Sequence, residues 1–306
     1  MRKRQYNNKS GLFFLAFLLV ASSSAADKIT PSEVFSQAAQ IDKEVMLILQ
    51  HFGIQRENQY RPIKADLEPR NVWQKSYFVL VKINIFRRKN TFPAIAVNSL
   101  EPVLKLDPLL VFEQTQRILT ELHLIKRRLN INKETSPPVY IPGKRPIDVY
   151  NLLHKTSLDL DILNNETINP SYVYAEVMRI FEDTNAILRK LRLEDPTFPP
   201  EKVNNITPKE SLAAVFDLMK EIQRLQRGIG IKRVDFSVFR GEKKIQPSEV
   251  FNMVGMSLAE LQPIKAHLDL KHRITPPAEF HEEKTPSDVH QLLRWVIRKI
   301  QLIKSL

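Results

Sequence analysis

One five-residue segment, Pro31-Ser32-Glu33-Val34-Phe35, returns almost unchanged as Pro247-Ser248-Glu249-Val250-Phe251, with looser copies between and after. Eight prolines align: Pro31, Pro69, Pro108, Pro146, Pro170, Pro208, Pro247 and Pro286. All but Pro208 have valine three positions on, followed by an aromatic or histidine: Phe35, Trp73, Phe112, Tyr150, Tyr174, Phe251 and His290. Proline suits the first helical position, where its missing N–H would be unpaired in any case. Thr30, Asp107, Asn169, Thr207 and Thr285 precede their prolines as N-caps, and Glu33, Glu210 and Asp288 stand where a capping box places an acid.

Behind each proline the apolar residues recur in steps of four and three, as in Val34, Ala38, Ile41, Val45, Ile48 and Phe52. That rhythm is the seam of long helices packed side by side. The segment around Tyr77–Phe86 also alternates like a strand, but Val72, Ser76, Val79, Ile83 and Phe86 keep the seam and favour helix.

The spacing of the prolines is nearly constant, with a single short interval in the middle, between Pro146 and Pro170. The offset from Pro31 to Pro170 is repeated from Pro69 to Pro208 and from Pro108 to Pro247, and Pro146 to Pro286 differs from it by one position. The expected fold is all-α: eight long helices with long Pro-rich loops, a tandem duplication of a four-helix bundle-like unit. The first unit runs over 27–164 and the second over 165–306. An up-and-down course within each unit would gather the loops after the odd-numbered helices at one end.

Ahead of the repeat, Arg2, Lys3 and Arg4 lead into the apolar Gly11–Ala21 and then Ser22-Ser23-Ser24-Ala25-Ala26. This reads as a signal peptide over 1–26; an uncleaved inner-membrane anchor is the alternative, for which the run is short of the ~20 residues that span a bilayer. The chain has no cysteine, which excludes disulfides, thiolate metal sites and cysteine nucleophiles. An exported chain of this size without disulfides points to a periplasm. Net charge is +12, and removing the four cations of the segment 1–26 leaves +8. Such a surface favours anionic partners: lipid head groups, lipopolysaccharide, peptidoglycan or an acidic envelope protein, and not nucleic acid.

No glycine-rich phosphate loop, nucleophile elbow or paired-histidine zinc motif is present. His281, Glu282, Glu283 and His290 have no specific ligand spacing, so neither metal nor cofactor is expected. The expectation is a non-enzymatic binding or adaptor protein. Its candidate contact residues are the loop aromatics Tyr60, Tyr140, Phe198 and Phe280, which would rim one basic end. That end would carry Lys126, Arg127, Arg128, Arg189, Lys190, Arg192, Lys271 and Arg273. The alternative is a small-ligand receptor with a pocket in the bundle or beneath the aromatic loops.

Overall fold

The computed structural model describes residues 28–55, 60–96, 100, 102–165, 168–240, 245–270, 275 and 279–306. The signal-peptide reading over 1–26, and the candidates Lys271 and Arg273, lie outside the described residues. Eight α-helices follow in order: α1 Pro31–His51, α2 Pro69–Lys89, α3 Pro108–Arg128, α4 Pro146–Asn164, α5 Pro170–Lys190, α6 Pro208–Gly228, α7 Pro247–His267 and α8 Pro286–Gln301. One 3-10 turn, Ser237–Phe239, precedes α7, and the described residues contain no strand.

Each helix begins at its aligned proline. Side-chain acids close the capping boxes: Thr30 N donates to Glu33 at 2.8 Å, Arg145 N to Asp148 at 2.8 Å, and Gln246 N to Glu249 at 2.7 Å. The far ends share a second device. The amides of Ile54, Phe92, Ile131, Leu193, Ile231 and Leu270 reach back five positions to the last helical turn at 2.8–3.1 Å. The residue before each has a left-handed φ: Gly53, Thr91, Asn130, Arg192, Gly230 and Asp269. This is the Schellman stop, completed by the apolar residue that follows.

Within α1–α4 all helices point the same way. The prolines and valines of all four first turns, Pro31 to Val34 through Pro146 to Val149, surround a single small apolar void. Higher up, residues at matching heights meet: Thr115 donates to Gln37 at 2.6 Å, and Thr156 to Asp42 at 3.1 Å. The first turns of α5–α8 surround an equivalent void. The up-and-down course is therefore corrected to two all-parallel groups. In each, α1 and α2 (or α5 and α6) stand diagonally, and each touches both remaining helices of its group.

The loop lengths follow from this arrangement. A helix as long as α1 rises about 31 Å, and a parallel neighbour requires the chain to travel back that distance. The connection over 52–68 has a reach of about 56 Å when extended. Described residues of these return segments are fastened to the helices. Ile63 exchanges both backbone bonds with Asn151 at 2.9 Å, and the 3.2 Å bond from Ile206 N to Ser287 ties down the α5–α6 return. Four aligned helix dipoles repel one another. First-turn acids and last-turn cations such as Arg87, Arg88 and Lys89 offset that repulsion, each by roughly 0.3–1 kcal/mol.

Only the short stretch 165–169 separates α4 from α5, so the second group points the opposite way. The groups meet where α2 crosses α7 antiparallel. Arg70 and Asn71 reach Glu260, Lys75 reaches Asn252, and Phe78 packs on Phe251 with ring centres 4.5 Å apart. Arg179 of α5 adds a 3.0 Å bond to the Tyr77 hydroxyl. Burial on both sides explains the strand-like apolar run of α2: every residue from Asn71 to Leu80 is buried.

Candidate functional site

Polar residues placed on the apolar face between the two groups line a cleft of about 230 Å³. Lys75 and Lys82, two turns apart on α2, share one helix face. His154, Ser157 and Asp161 do the same on α4, and Asn252 comes from α7. Ile63 of the first return segment and Phe239 of the 3-10 turn complete the wall.

The two lysines have different surroundings. Lys82 directs its three N–H donors to Ser157 O at 3.0 Å, Ser157 Oγ at 2.8 Å and Asp161 at 2.6 Å. Lys75 is 3 % exposed, and no carboxylate pairs with it among the described residues. Its ammonium nitrogen has one long bond, 3.3 Å to Asn252 Oδ1, and stands 5.7 Å from the Tyr150 ring centre. Burial, and then the charge on Lys82, hold Lys75 well below the usual lysine range, with Asp161 only partly opposing them.

His154 is treated alike. Burial, then the charges of Lys75 and Lys82, push its imidazole well below the ordinary histidine value, and its Nδ1 is buried without a partner. The ring lies between Tyr60 at 6.1 Å and Tyr150 at 6.2 Å. Burial raises the Tyr150 phenol, which accepts a 3.0 Å bond from Asn252. Burial in the cleft thus favours the uncharged forms of the His154 imidazole, the Tyr150 phenol and the Lys75 amine.

The expected contact residues are dispersed. Tyr60 packs against His154 beside the cleft. Tyr140 is exposed on the return segment to α4, Phe280 leans on Tyr172 at 4.8 Å, and Phe198, 77 % exposed, offers its carbonyl to Arg298. They form no common rim. Lys126 is buried and paired with Glu44 at 2.7 Å. Arg127 and Arg128 are exposed at the C-terminal end of the first group, Arg128 facing the Phe92 ring at 5.4 Å. Arg189, Lys190 and Arg192 are exposed at the corresponding end of the second. Because the groups are antiparallel, these two ends face opposite directions, so one basic end becomes two poles.

A second, more open groove of about 480 Å³ lies over Gln40, Glu44, His123 and Lys126. Its floor is neutralised: Glu44 also accepts from Thr135 at 2.6 Å. The same trio recurs at the matching positions of the second group, where Asp183 accepts from Lys265 and Thr275, both at 2.5 Å. Among the described residues no group of three or more His, Cys, Asp or Glu is arranged to hold a metal, His281 and its neighbours included. No described helix is long and apolar enough to cross a membrane.

Sequence reasoning did not single out Lys75, Lys82, His154 and Asn252. Two lysines one heptad apart, flanking the strand-like apolar run of α2, were the available signal. Family models, curated proteins and solved structures yield no match to this chain.

Proposed function

We propose that this chain is a non-enzymatic binding protein for a small anionic molecule, held in the cleft between its two helix groups. The observation that carries the reading is Lys75, a buried amine with no carboxylate partner among the described residues, beside an imidazole whose Nδ1 has none either. Burial first, and then neighbouring positive charge, drive Lys75 and His154 toward their uncharged forms, and that second cause favours an anion in the cleft. Such a guest would return a proton to Lys75. The cleft volume is below the ~300 Å³ at which drug-sized pockets begin, which indicates a ligand of few heavy atoms.

Thermal-shift and calorimetric titration of the full chain with acetate, lactate, pyruvate and inorganic phosphate, at pH 6 and pH 9, tests this. One or more of these anions should raise the melting temperature, more at pH 6, with proton uptake on binding. Lys75→Met should abolish the response. No shift with any of the four, or an equal shift in the variant, overturns the reading.

We further read the chain as a tandem duplication of a four-helix unit, 27–164 and 165–306. The matched trios Glu44–Lys126–Thr135 and Asp183–Lys265–Thr275 support it. So do the matched bonds from Lys144 N to Ser32 and Lys284 N to Ser171. Export to a periplasm rests on the sequence of the segment 1–26 alone.

The exposed cations favour a second reading. Arg127 and Arg128 at one pole, and Arg189, Lys190 and Arg192 at the other, suit contact with an anionic envelope surface. Co-sedimentation with anionic vesicles or peptidoglycan that fades with salt supports it, and no co-sedimentation at low salt removes it.

A further inference from the structure

We propose that Lys75 condenses with the carbonyl carbon of a small 2-oxo acid, holding it in the cleft as an imine. This deepens the anion-binding reading and rests on it.

The geometry supplies what the condensation needs. Lys75 lines the cleft, and among the described residues its amine has only the 3.3 Å bond to Asn252, so its lone pair is uncommitted. A lysine activated by desolvation and a second cation is the arrangement that makes an amine nucleophilic near neutral pH, and Lys82 supplies the second cation. Lys82 itself is excluded as the nucleophile, because Ser157 and Asp161 occupy its donors. The groups facing the amine are Lys82 on its own helix, Tyr150, His154 and Asp161 on α4, and Asn252 and Glu249 on α7. Glu249 is committed to the Gln246 amide at 2.7 Å, which leaves His154 as the free titratable neighbour.

The atoms balance without a further reagent. Nζ of Lys75 attacks the carbonyl carbon, the C–N bond forms, and the carbonyl electron pair goes to oxygen, which takes a proton. The resulting hydroxyl leaves as water with a second proton, and the C=N bond closes. Amine plus ketone gives imine plus water. The proton relay onto the departing oxygen falls to His154, whose Nδ1 is buried without a partner among the described residues. One proton taken from solvent makes the imine an iminium cation, and the carboxylate of the same ligand neutralises it. A 2-oxo acid therefore satisfies the positive potential of the cleft and the free lone pair together, where a plain carboxylate satisfies only the first.

The test uses the full chain with pyruvate and sodium cyanoborohydride, followed by intact mass and peptide mapping. Lactate, alike in size and charge but without a carbonyl, is the control. We expect a single reduced adduct on the peptide bearing Lys75, formed near pH 7 at least about tenfold faster than on any surface lysine, whose amines are almost wholly protonated there. Lys75→Met should remove that adduct, and surface labelling should persist and rise toward pH 10. His154→Gln should slow trapping by pyruvate at pH 7, and an unchanged trapping rate removes the relay role. If pyruvate and lactate both stabilise the chain but labelling shows no preference for Lys75, the imine is overturned and anion binding stands. If neither stabilises nor labels, both fall.

Discussion

The ring of Phe78 fills the space that a side chain on Gly255 would need. A Cβ on Gly255 would enter the van der Waals envelope of the ring and approach Nε2 of Gln74 to 2.8 Å. The glycine has an ordinary helical backbone, so its role is to let α2 and α7 come close. Gly255→Ala should therefore destabilise the chain by about 1–3 kcal/mol, the usual cost of overpacking a dense contact. Urea denaturation would show it as a lower midpoint, and pairing it with Phe78→Leu should recover part of the loss. An unchanged midpoint in Gly255→Ala would mean that the two helices are not in this contact.

Glu260 joins three helices. It accepts from Arg70 Nε at 2.8 Å and Nη2 at 3.0 Å, from Asn71 at 3.0 Å and from Gln226 at 2.6 Å, and it is fully buried. Removing one member of such a pair leaves a buried charge uncompensated, so Arg70→Met should cost roughly 3–5 kcal/mol. Adding Glu260→Gln to that background should restore much of it. A double-mutant cycle by urea unfolding gives the coupling, and additive losses would show that Arg70 and Glu260 do not interact.

Lys75 should trade stability for binding. Its folded-state affinity for a proton is lower than in the unfolded chain. Between its depressed value and the ordinary 10.5 the unfolded state therefore binds more protons, and stability rises with pH through that window. Lys75→Met removes the penalty. The variant should melt higher than the parent at pH 7, and the gap should close as pH approaches 10. Melting curves at pH 6 to 10 check the sign, and a lower melting temperature at pH 7 would contradict it.

The acidic side behaves oppositely at Asp288. Burial raises its carboxyl, and bonds from Lys202 at 2.6 Å and Thr285 more than offset this, leaving it at about 2. Its contribution is complete above the unfolded value of 3.8 and fades as pH falls toward about 2. Asp288→Asn should lose about 1 kcal/mol, typical of a weakened cap, at pH 7. The difference from the parent should shrink near pH 2, as urea unfolding at both pH values would register.

Much of the fold is legible in the chain because each helix start is a local event. Pro31, Thr30 and Glu33 meet their partners within a single turn; proline opens each of the eight described helices, and six of them carry a capping box. Direction is not local. Whether α2 runs with α1 or against it depends on where the segment 52–68 travels, and no spacing within a helix records that. The length of that segment was the available clue, since an antiparallel neighbour needs only a short turn. The cleft was hidden for a related reason. Lys75 and His154 belong to different helices with all of α3 between them in the chain, and Asn252 joins them only because the second group turns back along α2.

The return segments give the sharpest test of direction. A parallel neighbour requires about 31 Å to be retraced, or roughly ten extended residues. Replacing the segment 191–207 with a tight turn should therefore prevent α6 from starting beside the first turn of α5. Loss of cooperative urea unfolding is the expected result. Inserting a flexible Gly/Ser stretch after the exposed Glu201 keeps the path open and should cost under about 1 kcal/mol, since loop closure depends only weakly on length. An antiparallel pair would give the reverse order of damage, with the short turn tolerated. Circular dichroism and unfolding midpoints of the two variants decide between the directions, because the helices themselves are unchanged in both.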